Sequence, residues 1–233
     1  MALPKLSVPQ YEVKLPSTGE VLSLRPYLVK EEKVLMIALE SSDPVQISNA
    51  VRNVIQACYN LKDLKHLTVF DIEYLFLQLR GKSVGEEMEL RIKCTHCEEL
   101  NPFVVSVDEI KVKNEKPDNI IMLTGDVGVE MRYPSVDTFA ALDIEKLNSV
   151  EGVMDLIIEC VAKVFDADNV YGEGDMSKKE LVEFIENLNS EQFKKVQSFF
   201  NSIPAIEYKG DFKCEHCGEH NDVELKGLQS FFS

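Results

Sequence analysis

The sequence contains no tryptophan, only four histidines and no long apolar run. Nothing in it approaches the roughly 20 consecutive apolar residues of a membrane-spanning helix, and the N-terminus lacks a signal-peptide pattern. We therefore expect a protein without a membrane span that is made in a cytoplasm. There is also no P-loop, no Gly-x-Gly-x-x-Gly and no Gly-x-Ser-x-Gly. Because these motifs carry phosphate-binding and acyl-transfer chemistry, their absence leaves no catalytic constellation, and we predict that the protein is not an enzyme.

Basic residues are scarce. The chain has 25 Lys and Arg against 40 Asp and Glu, which gives a formal net charge of −15. Binding to a phosphate backbone needs a basic face that releases counterions, and the longest local basic strips are only Lys178-Lys179 and Lys194-Lys195. The charge therefore disfavours nucleic acid as a partner.

Four of the six cysteines lie in a repeated pattern, apolar-Lys-Cys-x-His-Cys-x-Glu-x-Asn, at residues 92–101 and 212–221. Two Cys-x-x-Cys pairs supply the four thiolates of a closed tetrahedral Zn²⁺ site, which leaves no open position for a substrate. We therefore predict a structural zinc ion. Its expected ligands are Cys94, Cys97, Cys214 and Cys217, with the neighbouring histidines as solvated turn residues.

Each cysteine pair is expected to join two strands, residues 88–93 to 102–107 and residues 207–213 to 222–226. This arrangement is typical of a two-knuckle zinc ribbon. Residues 98–213 separate the pairs, where a simple ribbon has roughly 15–20, so the ribbon must be split by an inserted domain. A thioredoxin-like redox pair, unmetallated thiols and disulfides are the alternatives. Cys58 and Cys160 fall in apolar helical patterns and are interpreted as small buried hydrophobic residues.

Hydrophobic periodicity and capping residues predict an α+β fold, mostly helical, with short antiparallel hairpins and the split two-knuckle zinc ribbon. Three regions are expected: residues 1–87 as a hairpin plus helices, residues 88–113 and 205–233 as the ribbon module, and residues 114–204 as the inserted hairpin and helical domain. The expected hairpins are residues 11–15 with 21–25 and residues 120–123 with 127–133. The expected helices begin near residues 30, 42, 68, 135, 148, 177 and 190.

Three helices carry particular expectations. The first should turn Val34, Leu35, Ile37, Ala38 and Leu39 inward or nearly so. The third, around residues 70–79, is apolar nearly all round and should be buried centrally or covered by a partner. The helix that follows residue 148 is expected to bury apolar side chains as far as Val161 and Val164.

Several segments resemble one family of phage proteins. These are residues 14–19 (KLPSTG), 24–33 (LRPYLVKEEK), 70–77 (FDIEYLFL) and 80–86 (RGKSVGE). They are similar to the baseplate hub subunit family of T-even-like contractile-tailed bacteriophages. The resemblance is clear over roughly the first 100 residues and looser beyond. It implies a virion-assembly protein without enzymatic activity that acts in the tail baseplate hub or helps to build it. The zinc prediction rests on cysteine spacing and not on this resemblance.

The resemblance implies other baseplate hub or tape-measure proteins as partners, with the host cytoplasm during assembly and the tail baseplate as locations. Whether the chain is a component of the particle or a chaperone stays open. A zinc-ribbon adaptor in nucleic-acid transactions and a dithiol oxidoreductase are alternative functions. Partner-facing or packing-critical candidates in residues 24–33 are Arg25, Tyr27, Lys30 and Glu31. In the apolar tail, Phe231 and Phe232 are interpreted either as a docking peg or as residues that pack back on the domain.

Overall fold

The computed structural model describes residues 6–113, 118–142, 149–227 and 230. The chain divides into two units. Unit 1 comprises Met1–Leu64, Phe70–Lys113 and Ala205–Ser233, and unit 2 comprises Lys65–Val69 and Asn114–Pro204. Helices alternate with small antiparallel sheets, so the predicted α+β class is confirmed.

The α-helices of the described residues are α1 (Val29–Ser41), α2 (Pro44–Tyr59), α3 (Val69–Ser83), α4 (Val136–Ala141), α5 (Val150–Cys160), α6 (Lys178–Glu186) and α7 (Ser190–Asn201). The strands are β1 (Tyr11–Lys14), β2 (Val21–Leu24), β3 (Glu87–Lys93), β4 (Leu100–Ser106), β5 (Lys111–Lys113), β6 (Ile120–Met122), β7 (Gly128–Met131), β8 (Val161–Phe165), β9 (Val170–Tyr171), β10 (Ala205–Lys213) and β11 (His220–Lys226).

In unit 1, two antiparallel hairpins, β3 with β4 and β10 with β11, bring the cysteine pairs to their turns. Strand β5 adds to the free edge of β10, where Lys113 is the register partner of Ala205. The chain therefore leaves unit 1 and returns to it at paired positions of one ladder. Because paired Cα atoms lie only about 5 Å apart, a segment of any size can be inserted there without opening the sheet.

The core of unit 1 lies between these hairpins and α3. Buried apolar side chains from both meet there, namely Leu77, Met88, Leu90, Val105, Val107 and Ile206. Gly81 of α3 allows a close approach to the strands, since a Cβ at that position would lie 3.3 Å from Val107 Cγ2. Much of α3 is buried, as expected of so apolar a helix.

Unit 2 is built on the antiparallel sheet β6-β7-β8-β9 with helices α5, α6 and α7. Its core includes Val129, Ile157, Ile185, Val196 and Phe199. The aromatic stripe predicted on the last helix is thus core packing. Capping predictions near residue 177 are also confirmed, because the Ser177 side chain accepts from the Glu180 N–H at the start of α6.

Three expectations about helices are wrong. On α1 only Ala38 of the predicted inward set is buried, while Val34, Ile37 and Leu39 are exposed. Residues 34–39 are all apolar, and since successive residues turn by about 100°, such a run covers every side of a helix and cannot indicate which side is buried.

Helix α5 ends at Cys160, and β8 begins at the next residue, so Val161 and Val164 lie in a strand that pairs with β7. The β-branched valines suit a strand, and pairing with β7 overrides the apolar helical period. The cap is Ser149, whose hydroxyl accepts from the Gly152 N–H. In the predicted helix that begins at residue 135, α4 ends at Ala141, and residues 143–148 lie outside the described part of the chain.

Candidate metal centre

Each cysteine pair lies in a tight turn between two strands. We call residues 94–99 the first knuckle and residues 214–219 the second. In the first, the Cys94 N–H donates to the Glu99 carbonyl at 2.9 Å, and in the second the Cys214 N–H donates to the Glu219 carbonyl at 2.9 Å. The backbone turns back on itself in the same way in both, so both sulfurs of each pair point to one side. Neither pair begins a helix, as a thioredoxin-like redox motif would.

The four sulfurs converge. All four Sγ atoms lie within 4.8 Å of one another, with Cys94 Sγ 3.7 Å from Cys217 Sγ and Cys97 Sγ 3.6 Å from Cys214 Sγ. A tetrahedral site with metal–sulfur distances of about 2.3 Å places its sulfurs roughly 3.8 Å apart. Disulfide sulfurs lie at about 2.05 Å, so these distances are those of a ligand set and not of disulfides. The four cysteines can hold a metal ion, and the donor set is one that Zn²⁺ accepts.

Backbone N–H groups point at the first sulfur of each knuckle. The His96 N–H donates to Cys94 Sγ at 3.4 Å, and the His216 N–H donates to Cys214 Sγ at 3.4 Å. Burial raises the pKa of both thiols, but the backbone hydrogen bonds outweigh it and the net pKa of Cys94 and of Cys214 is lowered. The geometry therefore favours thiolate, the form that binds a metal.

Two buried asparagines join the knuckles to each other. Asn221 Oδ1 accepts from the Thr95 N–H at 2.8 Å and from the Thr95 hydroxyl at 2.8 Å. Asn101 Oδ1 accepts in the same way from the Glu215 N–H at 2.9 Å. Each side-chain amide also donates to a carbonyl of its own knuckle, at 3.0 and 3.1 Å. These reciprocal bonds hold the two turns face to face independently of any ion.

Sequence reasoning recorded the asparagines as part of the repeat but gave them no role. The available signal was their identical position, seven residues after the first cysteine of each pair. A polar side chain repeated beside a ligand pair is a candidate for orienting that pair. The predicted turn residues His96, His216 and His220 are all exposed, which agrees with their interpretation as solvated.

Comparison with known proteins places the chain. A family model described as T4 bacteriophage base plate protein matches residues 8–233. The chain belongs to this family. No curated protein matches it, and no solved structure does. The T4 baseplate family is one of structural proteins of the phage tail, so membership supports such a role for this chain and interaction with other tail proteins.

In this baseplate protein the candidate partner residues of the segment 24–33 lie in different environments. Arg25 Nη2 pairs with Glu31 Oε1 at 2.8 Å, and Glu31 Oε2 accepts from the Leu28 N–H at 2.9 Å. Glu31 is buried, and although burial raises its pKa, the hydrogen bonds from Arg25 and Leu28 produce a net lowering. Arg25 and Glu31 thus anchor the start of α1, whereas the Lys30 side chain is exposed and Tyr27 is half-buried.

The remaining expectations for the baseplate protein concern cysteines, the tail and membranes. Cys58 and Cys160 are buried away from the cluster, and burial raises the pKa of Cys58 to about 11 and that of Cys160 to about 12. Phe231 and Phe232 lie outside the described residues. Within the described part of the chain, no helix has both the length and the hydropathy to cross a bilayer.

Proposed function

We propose that this chain is a non-enzymatic structural or assembly protein of the phage tail baseplate hub that binds other hub or tape-measure proteins. Family membership over residues 8–233 supports a structural baseplate role, and the resemblance in residues 14–33 and 70–86 favours the hub within it. The protein is made in the host cytoplasm and acts there during assembly, either as a future component of the tail or as a chaperone of hub proteins.

Cys94, Cys97, Cys214 and Cys217 hold a structural Zn²⁺ in this proposal. The observation that carries it is the convergence of four sulfurs at the spacing of a tetrahedral tetrathiolate site. When bound, the ion supplies no chemistry beyond cross-linking the two knuckles. The two hairpins then form a split zinc ribbon, made of residues 88–113 and 205–233.

The ribbon has a mechanical purpose in this proposal. Residues 114–204 are an inserted domain whose two connections run through β5 and β10, one on each side of the metal-bound hairpins. A metal that binds only the folded hairpins adds its binding free energy to folding. Zinc therefore fixes both ends of the insertion, so that the domain can bear load in an assembly without fraying the sheet from which it emerges.

Co-purification tests the role. The tagged chain should retain specific hub or tape-measure proteins of the same virion when these are co-expressed with it. Mass spectrometry of purified virions then separates the two forms of the proposal, because a component is found in the particle and a chaperone is not. If none of the virion's hub or tape-measure proteins is retained, the proposed function is wrong.

A further inference from the structure

Helix α1 presents apolar side chains to solvent. Val34, Met36, Ile37 and Leu39 are each between 44% and 56% exposed, although α1 packs along α2. A single exposed apolar residue is ordinary on a protein surface, but four on two turns of one helix form a patch. Contiguous exposed apolar surface of this kind marks a place where another molecule binds.

Part of this patch forms one wall of a groove within unit 1. The groove has a volume of about 260 Å³ and lies among α1, α2 and α3. Its apolar lining includes Leu35, Met36, Leu39, Ile47, Val51 and Phe76. Pockets for small molecules usually enclose about 300–1,000 Å³, so this groove is sized for a few side chains and not for a cofactor.

One cation lines the groove without a partner. Arg80, near the end of α3, has its Nη1 atom buried, and that atom makes no hydrogen bond within the described residues. Burial lowers the pKa of the Arg80 guanidinium, although the nearby Tyr27 hydroxyl opposes this shift. An arginine stays charged in proteins, so a buried N–H of this kind is destabilising until it meets an acceptor.

The acid nearest in the lining does not supply that acceptor. Glu32 lies on the α1 side of the groove, is exposed and forms no ion pair with Arg80 among the described contacts. The groove therefore combines an apolar floor with one unsatisfied guanidinium N–H. The complementary ligand has apolar side chains and one carboxylate between them, since a carboxylate is the acceptor that best fits a guanidinium.

We infer that this groove docks an amphipathic helix of another tail protein, with aliphatic side chains seated against α1 and α2 and one Asp or Glu paired with Arg80. A helix provides such a row at positions i, i+3, i+4 and i+7, which is the usual form of helix-in-groove recognition. The docking surface rests on the proposed function, because it supplies the contact through which a hub protein would bind.

Site-specific photo-crosslinking in the full chain, loaded with zinc and co-expressed with the virion's baseplate and tape-measure proteins, tests the inference. A photo-reactive amino acid at position 36, in the groove, should crosslink to one amphipathic segment of one tail protein, identified by mass spectrometry. The same amino acid at position 170, which is exposed in unit 2, is the control and should not yield that product.

Charge reversal then tests the carboxylate. Arg80→Glu should reduce the crosslink yield by roughly tenfold or more, and a Lys at the acidic position of the identified partner segment should restore it. Arg91→Glu, at an exposed position of β3, is the matched control and should leave the yield unchanged. If Arg80→Glu fails to fold, as seen by circular dichroism, Leu39→Asp at the exposed groove wall replaces it, with Val45→Asp as its control.

The outcomes are distinct. A product that joins two copies of this chain, a product that is unaffected by Arg80→Glu and Leu39→Asp, or no product at position 36 would overturn the docking inference. If tail proteins are retained in co-purification while crosslinking at position 36 fails, the proposed function stands and only the groove is wrong. If nothing is retained, the proposed function has failed as well.

Discussion

The two knuckles have the same backbone hydrogen bonds but differ at two corresponding positions. The first has Thr95 after its leading cysteine and Glu98 after its second, where the second has Glu215 and Gly218. Glu98 and Gly218 both have positive φ angles, 64° and 78°. The backbone path is therefore the same although only Gly218 adopts it without steric cost.

The difference shows which residues set the geometry. Cysteines and asparagines are identical in the two knuckles, and they make the sulfur cluster and the reciprocal bonds between the turns. Positions 95 and 98 vary because the turn tolerates other side chains there. The comparison can be broken at the cysteines, tested at the asparagines and sharpened at the variable positions.

The largest effect is expected from removing a sulfur in either knuckle. Cys94→Ser and Cys214→Ser should both lose the metal and destabilise unit 1 by several kcal/mol, because structural zinc contributes about 10–16 kcal/mol in zinc-finger peptides. Chemical unfolding with and without a chelator measures this, and the chelator should have no further effect on either variant. Cys58→Ala, which removes a buried thiol outside the cluster, should retain the metal and cost less than about 2 kcal/mol.

An asparagine change should reveal the asymmetry between the knuckles. Asn221 accepts two bonds from Thr95, whereas Asn101 accepts one from Glu215. We expect Asn221→Ala to cost about 2–3 kcal/mol and Asn101→Ala about 1–2 kcal/mol, since each lost bond leaves a donor unpaired. Urea unfolding of the zinc-loaded proteins measures both. Equal costs, or costs that vanish when zinc is bound, would contradict a separate role for the asparagines.

Exchanging the residues of positive φ should shift stability in opposite directions. Gly218→Ala is expected to cost about 1–2 kcal/mol, because a Cβ is disfavoured in the left-handed region. Glu98→Gly should stabilise the protein by up to about 1 kcal/mol, and it loses only the exposed Lys93–Glu98 pair, which is worth little. Thermal unfolding of both variants decides the point. A stabilising Gly218→Ala would show that the knuckle backbone differs from the one described.

The smallest effect concerns one hydroxyl. Thr95→Val removes the O–H donor to Asn221 but keeps the backbone N–H bond, so it should cost about 1 kcal/mol. In the Asn221→Ala background the same change should cost almost nothing, because the acceptor is already gone. This double-mutant cycle isolates the extra bond of the first knuckle.

The knuckles show what sequence can reveal. The cysteine spacing was sufficient to predict that two distant turns meet, because a tetrathiolate site needs two such pairs and little else. The asparagines were visible in the repeat, yet asparagine serves in caps, turns and loops alike, so its type alone did not identify the cross-knuckle bonds. The pairing of Lys113 with Ala205 depends on tertiary register and had no local signal.

Helix α1 and strand β8 show where sequence reasoning fails. The six apolar residues at positions 34–39 predicted a core-facing helix, but they have no period and α1 leaves much of its apolar surface exposed. Val161 and Val164 continued an apolar helical pattern and are nevertheless in a strand, because pairing with β7 determines their conformation. In both cases the deciding contact is made by a distant part of the chain.

X-ray absorption spectroscopy on protein purified without chelator, with the metal content measured on the same sample, tests the central claim most directly. One zinc per chain with four sulfur neighbours at about 2.3 Å is the predicted result. A chain that folds without stoichiometric metal, or a metal shell that contains fewer than four sulfurs, would contradict the convergence of Cys94, Cys97, Cys214 and Cys217 on a single ion.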